Sequence, residues 1–510
     1  MLKMQVMARS FASPHPAAAL PGVSRTPKAS PAPARKLNGN NLMPGGMGPV
    51  RARSTFPPTA KILPPNVLAL QQKATVPAAA LVLLLGIYIA MHTSLAGEIL
   101  AIFLHIPLPV VGVFSLIVPA AVAFVGRPTQ FFGAPVAKPW ILLNIWMALA
   151  ALFSFYPHDS VSSVIPLILR LQIMPVLFCG VATTSKSTRS LLKWAALGLL
   201  PLLLLCFTSG QMLEGYRFAI PETSLANPND LAFHLLWGCM LLLVFLFGRN
   251  KLMKIMVLMA VPTSLWFILK TASRSNFLTI FAVVAMGLLL TKSSTRVMLL
   301  LGIPLALAIM LPLLPRDTLD RITAIASGSS AGDAAEAAKA SGNDKLEGAF
   351  DSEAARLELS RLAVDATLRH PVFGVGMQMF GDETADHLMK TKGTKGPWQS
   401  AHDSYLKISS ENGIPALIFY VWAILSSVWM TWSTLRKTRA RPGFEDAYHN
   451  SICILMALVA YVVGTFFCDI VYLPYFSVTI GLAAANYMAF RNEDRLAAAL
   501  AQLEPSFGVK

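Results

Sequence analysis

Charge is scarce in this sequence: Asp, Glu, Lys and Arg together make up 13% of its 510 residues, about half the share of an ordinary soluble domain. Acidic residues are missing altogether from the first 97 positions, Glu98 being the first. Cysteine is scarce as well. Cys179, Cys206, Cys239, Cys453 and Cys468 all lie in or against apolar stretches, no Cys-x-x-Cys or His/Cys cluster occurs, and the segment 315–411 has no cysteine. These shortages leave no thiol-based metal motif and exclude a disulfide-held 315–411 segment in any compartment. The shortage of charge excludes more. Set beside 55% hydrophobic residues, it leaves uninterrupted apolar runs long enough to cross a hydrocarbon layer of about 30 Å. A chain of this size could not cover so many runs as soluble core helices.

The formal net charge of +16 is not a nucleic-acid footprint, because ten of the 42 basic residues fall within the first 73 positions. It reports a tail and a membrane orientation. Residues 1–73, rich in Pro, Ala, Gly, Ser and basic residues, cannot bury enough apolar surface to order themselves. A cytoplasmic tail beside anionic lipid headgroups is the favoured reading. A later start at Met43 or Met47 and an organellar transit peptide stay open.

The apolar runs predict an all-α integral membrane protein of about 12 transmembrane helices. They fall near 76–93, 105–125, 139–156, 161–183, 190–208, 230–248, 252–270, 275–291, 297–314, 414–434, 450–468 and 472–490, with 97–104 as an interfacial half-turn. Basic residues test the count. With the N-terminus in the cytoplasm, the cytoplasmic loops hold Arg127 and Lys138; Lys186, Arg189 and Lys193; Arg249, Lys251 and Lys254; Lys292 and Arg296; and Arg436, Lys437, Arg439 and Arg441. The opposite short loops hold Arg217, Lys270 and Arg274. This is the positive-inside pattern. The resulting plan is a tail (1–73), nine spans (74–314), a large extracytoplasmic loop (315–411) containing short helices, three spans (412–490) and a cytoplasmic C-terminal tail (491–510).

Inside the loop, 327–350 is small and polar. From Ser352, Ala355, Leu359, Leu362 and Ala366 repeat on one helical face, and the helix should stop near His370, before Pro371. A second short helix is expected over His402–Asn412, capped by Gly413, with Pro415 opening the next span.

Several residues are costly or chemically able where they stand. Arg170 lies about ten residues into the fourth span, where it either faces an anion-binding cavity or pairs with an acid on another span. Arg274 stands at the outer mouth of the eighth span, where snorkelling to headgroups is the plain alternative. Gly374 and Gly376 lack the third glycine and the strand–helix context of a nucleotide fold, and read as a tight turn. Asp382, Glu383 and Asp386 lack any metal-ligand spacing and read as solvated acids. His402 titrates near neutrality and is a candidate general base, against the plainer reading of a surface histidine.

The order of these features resembles a known signature. Arg356, then Pro371-Val-Phe-Gly-Val-Gly376, then Ala401-His-Asp-Ser-Tyr-Leu406 and Glu411-Asn-Gly413 are similar to the motifs of the bacterial O-antigen ligase and polysaccharide polymerase family. Ser273-Arg274 matches a Ser-Arg pair before the family's large loop, and Asn227-Pro-Asn229 an Asn-rich span entry. The resemblance is sharp over 350–420. Asp403 stands where members usually carry Asn, and Ser360 or a neighbour where many carry Trp.

The resemblance implies transfer of a glycan from an undecaprenyl-diphosphate carrier to an acceptor hydroxyl, either lipid A core (a ligase) or a growing glycan (a polymerase). It implies an enzyme of the bacterial inner membrane working without metal or cofactor. His402 is then the candidate base. Arg274, Arg356, Arg170 and Arg361 are the candidate diphosphate ligands, because guanidinium pairs bidentately with phosphate oxygens. The rival from another class is a secondary transporter or flippase. It would show two related halves, which the long loop between the ninth and tenth spans interrupts.

Overall fold

Large apolar side chains cover much of the outer surface of this molecule, while amides and hydroxyls are buried within its largely apolar core. In the computed structural model, which describes residues 79–103, 117–122, 126–213, 217–221, 223–290, 293–310, 312, 344–393 and 400–503, Leu258 is 70% exposed and Phe281 71%, while Asn450, Ser451 and Asn486 are buried. An apolar outer surface of that kind needs lipid against it. Interhelical amide and hydroxyl contacts supply the polar packing common between membrane helices, as where Asn450 Nδ2 donates to Asn486 Oδ1 at 3.1 Å and Asn486 Nδ2 to Ser451 Oγ at 2.9 Å. The chain is therefore an all-α membrane protein, with one small hairpin among the described residues.

In chain order the described helices are α1 (Ala79–Thr93), α2 (Ala96–Phe103), α3 (Ala137–Leu152), α4 (Pro157–Val181), α5 (Ser185–Ser209), α6 (Pro228–Phe245), α7 (Lys251–Lys270), α8 (Arg274–Leu290), α9 (Ser293–Met310), α10 (Asp344–Arg369), α11 (Phe380–Lys392), α12 (Ser404–Thr438), α13 (Glu445–Gly464) and α14 (Pro474–Leu503). Among the described residues, α4, α5, α6, α7, α12 and α13 are long and apolar enough to cross a membrane, and Ala79–Thr93, Ala137–Leu152 and Ser275–Leu290 are shorter apolar helices. Every expected span except 105–125 falls on one of the described helices. That span, the tail 1–73 and most of 327–350 lie largely or wholly outside the described residues.

Local chemistry sets the ends. Asn227 caps α6 by accepting from Asn229 N at 3.0 Å, with Pro228 in the first turn, where its missing N–H costs nothing. Thr184 and Ser187 form a reciprocal capping box on α5. Of the stretch 97–104, expected as a half-turn, residues 97–103 belong instead to α2, and residue 104 lies outside the described residues. The helix expected from Ser352 begins at Asp344, and its anticipated face is the packed one: Leu359, Leu362 and Ala366 join Val375, Phe380, Leu388 and Ala401 in a small separate core.

The expected break at Gly413 is present, at φ 82 and ψ 170, and it separates two helices that are numbered together as α12. The glycine turn docks into this break. Val375 N donates to Ser410 O and Gly376 N to Glu411 O, both at 2.9 Å, and Ile414 N to Pro371 O at 2.8 Å. A Cβ on Gly413 would sit 1.9 Å from Val372 O, and one on Gly374 would sit 2.3 Å from Glu411 C. The two motifs are thus two sides of one backbone contact that leaves no room for side chains. Around it α12 packs on α3, α10, α13 and α14, and α6 packs on α13.

Candidate active site

Four segments distant in sequence meet near the break in α12: the start of α12, the turn 465–473 between α13 and α14, and the N-terminal ends of α6 and α8. Asp403 begins α12 by accepting from Tyr405 N at 2.8 Å and Leu406 N at 3.0 Å, an N-cap that holds the preceding residue at the helix mouth. That residue is His402. Its φ of 52 lies in the left-handed region, which costs a residue with a Cβ about 1–2 kcal/mol. The neighbours that hold it there are well defined. Ser404 N donates to Thr465 O at 2.8 Å, Ser404 Oγ donates to Cys468 O at 2.6 Å, and Ile470 N donates to Ser404 Oγ at 3.0 Å. Asp469 accepts from Ser400 Oγ and, at 2.7 Å, from Lys407 Nζ. Asp469 therefore ties together the segment just before His402 and the first turns of the helix just after it.

His402 is half-buried, and its electrostatic surroundings are specific. Burial is the largest influence on it and favours the neutral ring. The positive charge of Arg356 acts next in the same direction, Asp469 opposes, and Lys407 and Arg217 add to the lowering. The imidazole pKa is thereby held below its ordinary value, so the ring is neutral and able to accept a proton at neutral pH.

Beside it lies a second polar group built on Asn229. Asn229 Oδ1 accepts from Ser273 Oγ at 2.7 Å and from Arg217 Nη2 at 3.2 Å; its backbone carbonyl accepts from Asn276 Nδ2 at 3.0 Å. Arg217 Nε also reaches Thr271 O at 3.5 Å. Arg217 opens the second strand of a hairpin, β1 (Gln211–Leu213) with β2 (Arg217–Ala219), which carries it over the end of α7 and the start of α8. Asp230, the next residue on α6, feels Asp469, Arg356 and Lys407. Arg356, Arg217, Lys407, Asp230, Asp469 and His402 are thus electrostatic neighbours although they are spread over about half of the chain.

On the far side of Lys407, Glu411 is buried one turn further along α12. Its Oε2 accepts from Tyr472 OH at 2.7 Å and Gln378 N at 2.9 Å, while Asn412 Nδ2 donates to Tyr472 OH at 2.7 Å. Burial, and then the Glu411 carboxylate, push the Tyr472 phenol far above its usual range, so it remains a donor. A cavity of about 310 Å³ opens here, lined by Gln378, Phe380, Gly381, Asp382, Ser400, Lys407 and Glu411.

The residues singled out by sequence are distributed unevenly around this site. Arg356 bears on His402 through its charge. Arg274 opens α8 between Ser273 and Asn276, both bound to Asn229; its side chain is outside the described residues. Arg361 is exposed on α10, 4.0 Å from Glu358. Arg170 is exposed in a π-helical turn of α4, Ile168–Gln172, beside Tyr88 and His92; Tyr88 OH donates to its backbone carbonyl at 2.5 Å. Glu383 and Asp386 of the acid cluster are engaged with Arg369 and Tyr156 respectively. Sequence reasoning did not single out Arg217, Lys407, Asp469 or Asp230. Asp230 and Lys407 had a detectable signal, being charges inside or at the edge of apolar runs.

The fold and this site define a multi-helix membrane protein with a neutral histidine set among guanidinium groups at the end of a broken helix. Residues 255–421 match the family described as O-antigen ligase, and the chain is O-antigen ligase-like over that segment. The matched part runs from α7 to the middle of α12 and includes Arg274, Arg356, Arg361, His402 and Glu411. No curated protein matches the chain. The family carries a membrane glycosyltransferase activity of the ligase or polymerase type on lipid-linked glycans.

Proposed function

We propose that this protein transfers an oligo- or polysaccharide from an undecaprenyl-diphosphate carrier to an acceptor hydroxyl at the outer face of the bacterial inner membrane. The observation that carries the reading is the neutral, half-buried His402 beside Arg356 and Arg217. Such a ring can take the proton of an acceptor hydroxyl as its oxygen attacks the anomeric carbon. The bond from that carbon to the phosphate oxygen breaks, and undecaprenyl diphosphate leaves with the electron pair. Arg356 and Arg217, with Arg274 opening the adjacent helix, would neutralise the charge that develops on the departing diphosphate. The diphosphate is a good leaving group, so this scheme calls on no cofactor. Arg361, exposed and facing Glu358, and Arg170, beside Tyr88 and His92, are weaker candidates for the same anion. Lipid A core as acceptor makes the protein a ligase, and a second lipid-linked repeat makes it a polymerase.

The test is His402→Ala, assayed with the full-length protein in proteoliposomes containing the lipid-linked glycan and each acceptor in turn. Loss of a general base lowers the rate by roughly 10²–10⁴-fold. Unchanged transfer at normal protein level would remove His402 from the chemistry. Flipping of the lipid-linked glycan that survives loss of both His402 and Arg274 would favour a transporter instead.

A further inference from the structure

The cavity beyond Lys407 differs from the His402 side in the sign of its charge, and this bears on what it holds. Two carboxylates line it, Asp382 and Glu411; Lys407, its one cationic lining residue, is already paired with Asp469 at 2.7 Å. Glu411 is buried, and the hydrogen bonds that its carboxylate accepts from Gln378 N and Tyr472 OH both fall on Oε2. Gln378 and Ser400 add neutral polar groups, and Phe380 and Gly381 complete the wall. Phosphate placed there would meet two carboxylates without a free cation to offset them, a costly arrangement at low local dielectric. A ligand that offers hydroxyl or amino hydrogens would meet strong acceptors instead. The volume, about 310 Å³, is at the lower end for a ligand site and suits a short stretch of glycan. The cavity also adjoins the reacting centre, since Ser400 lies two residues before His402 and Lys407 is a charge that His402 feels.

We propose that this cavity is a sugar-binding subsite that recognises neutral or amino-bearing glycan rings through Asp382, Gln378 and Glu411, separate from the guanidinium groups that would bind diphosphate. It rests on the glycan-transfer reading given above. Asp382 is the informative position, because it stands on a different element from His402, in the first turn of α11, where replacing it by Asn costs only the small helix-dipole stabilisation of one acid. Its carboxyl pKa is raised by burial and then by Asp386 and Asp159, so a hydroxyl or ammonium donor from a ligand would find an acceptor that lacks a local cation.

The experiment measures equilibrium binding to purified full-length protein in nanodiscs, one substrate at a time, so that no turnover is needed. The probes are the undecaprenyl-diphosphate-linked glycan, sugar-free undecaprenyl diphosphate, and the acceptor glycan. Asp382→Asn and Gln378→Ala are expected to weaken one of the two glycan-bearing probes roughly tenfold and to leave sugar-free undecaprenyl diphosphate unchanged. The probe affected identifies the ring as the donor's or the acceptor's. Tighter binding by Asp382→Asn would mean an anionic occupant and overturn the proposal, as would unchanged affinity for both glycans in protein that elutes and melts like the parent. Because binding is read without transfer, an active His402→Ala variant would sink the catalytic reading while leaving this result to stand or fall by itself.

Discussion

At His402, opposing charges give a prediction whose sign is fixed. A base must be unprotonated to act, so activity falls as pH drops through the pKa of the ring in the free enzyme. Arg356 lowers that pKa and Asp469 raises it. Removing the guanidinium in Arg356→Gln favours the protonated ring, so the acid limb of kcat/KM moves to higher pH. Removing the carboxylate in Asp469→Asn favours the neutral ring, so the limb moves to lower pH. A pH–rate series on the two variants checks both. Shifts in the same direction, or none, would mean that the limb belongs to another group. Asp469 is a positioning residue by its contacts, and loss of the Ser400 and Lys407 anchors should also reduce kcat, whatever the pH.

The decisive element is α12, where capping, a break and the site occur within eleven residues. Asp403 stands where family members carry Asn, and the structure supplies the reason both serve: the side-chain oxygen accepts two backbone N–H groups. Burial raises the Asp403 pKa although those two N–H bonds lower it, so Asn gives the same cap without a buried charge. Asp403→Asn should therefore keep transfer activity and thermal stability, whereas Asp403→Ala should lose about 0.5–2 kcal/mol, read as a lower apparent melting temperature in detergent. Gly413→Ala should do worse, since φ 82 is unfavourable for any Cβ and Val372 O lies 1.9 Å from where it would be. A Gly413→Ala protein that melts like the parent would contradict the docked turn. Much of this region was legible in sequence: the break at Gly413 in α12, the turn at Gly374 and Gly376 that docks on it, and the packed face of Leu359, Leu362 and Ala366 on α10 all follow from local rules. The hairpin carrying Arg217, the helix α11 and the Lys407–Asp469 pair did not. Three-residue strands have almost no periodic signal, and a pair separated by 62 positions is set by tertiary packing, which a single sequence does not encode locally. Lys407 by itself reads as a helix-end lysine reaching for headgroups.

For the whole molecule, the mechanism requires that the site face the side where lipid-linked glycans are presented, and the distribution of basic residues predicts that side to be extracytoplasmic. The geometry of α12 makes the prediction sharp. From Ile414 to Thr438 it runs 25 residues beyond the Gly413 break, about 37 Å at 1.5 Å per residue, enough to cross a hydrocarbon layer of about 30 Å. His402 at one end and Arg439 at the other should then lie on opposite sides. The native cysteines help the test, because Cys179, Cys206, Cys239, Cys453 and Cys468 are all buried and give a low background to a thiol reagent. Lys390, exposed on α11, and Arg439, exposed after α12, are each replaced by cysteine in separate proteins. A membrane-impermeant maleimide added to intact cells with a permeabilised outer membrane should label Lys390→Cys at once. Arg439→Cys should label only after the inner membrane is opened. Labelling of both from outside would mean that α12 does not span. The reversed pattern would place His402 in the cytoplasm, on the wrong side for a carrier that has already been flipped, and the transfer reaction assigned to this site would then need a different donor.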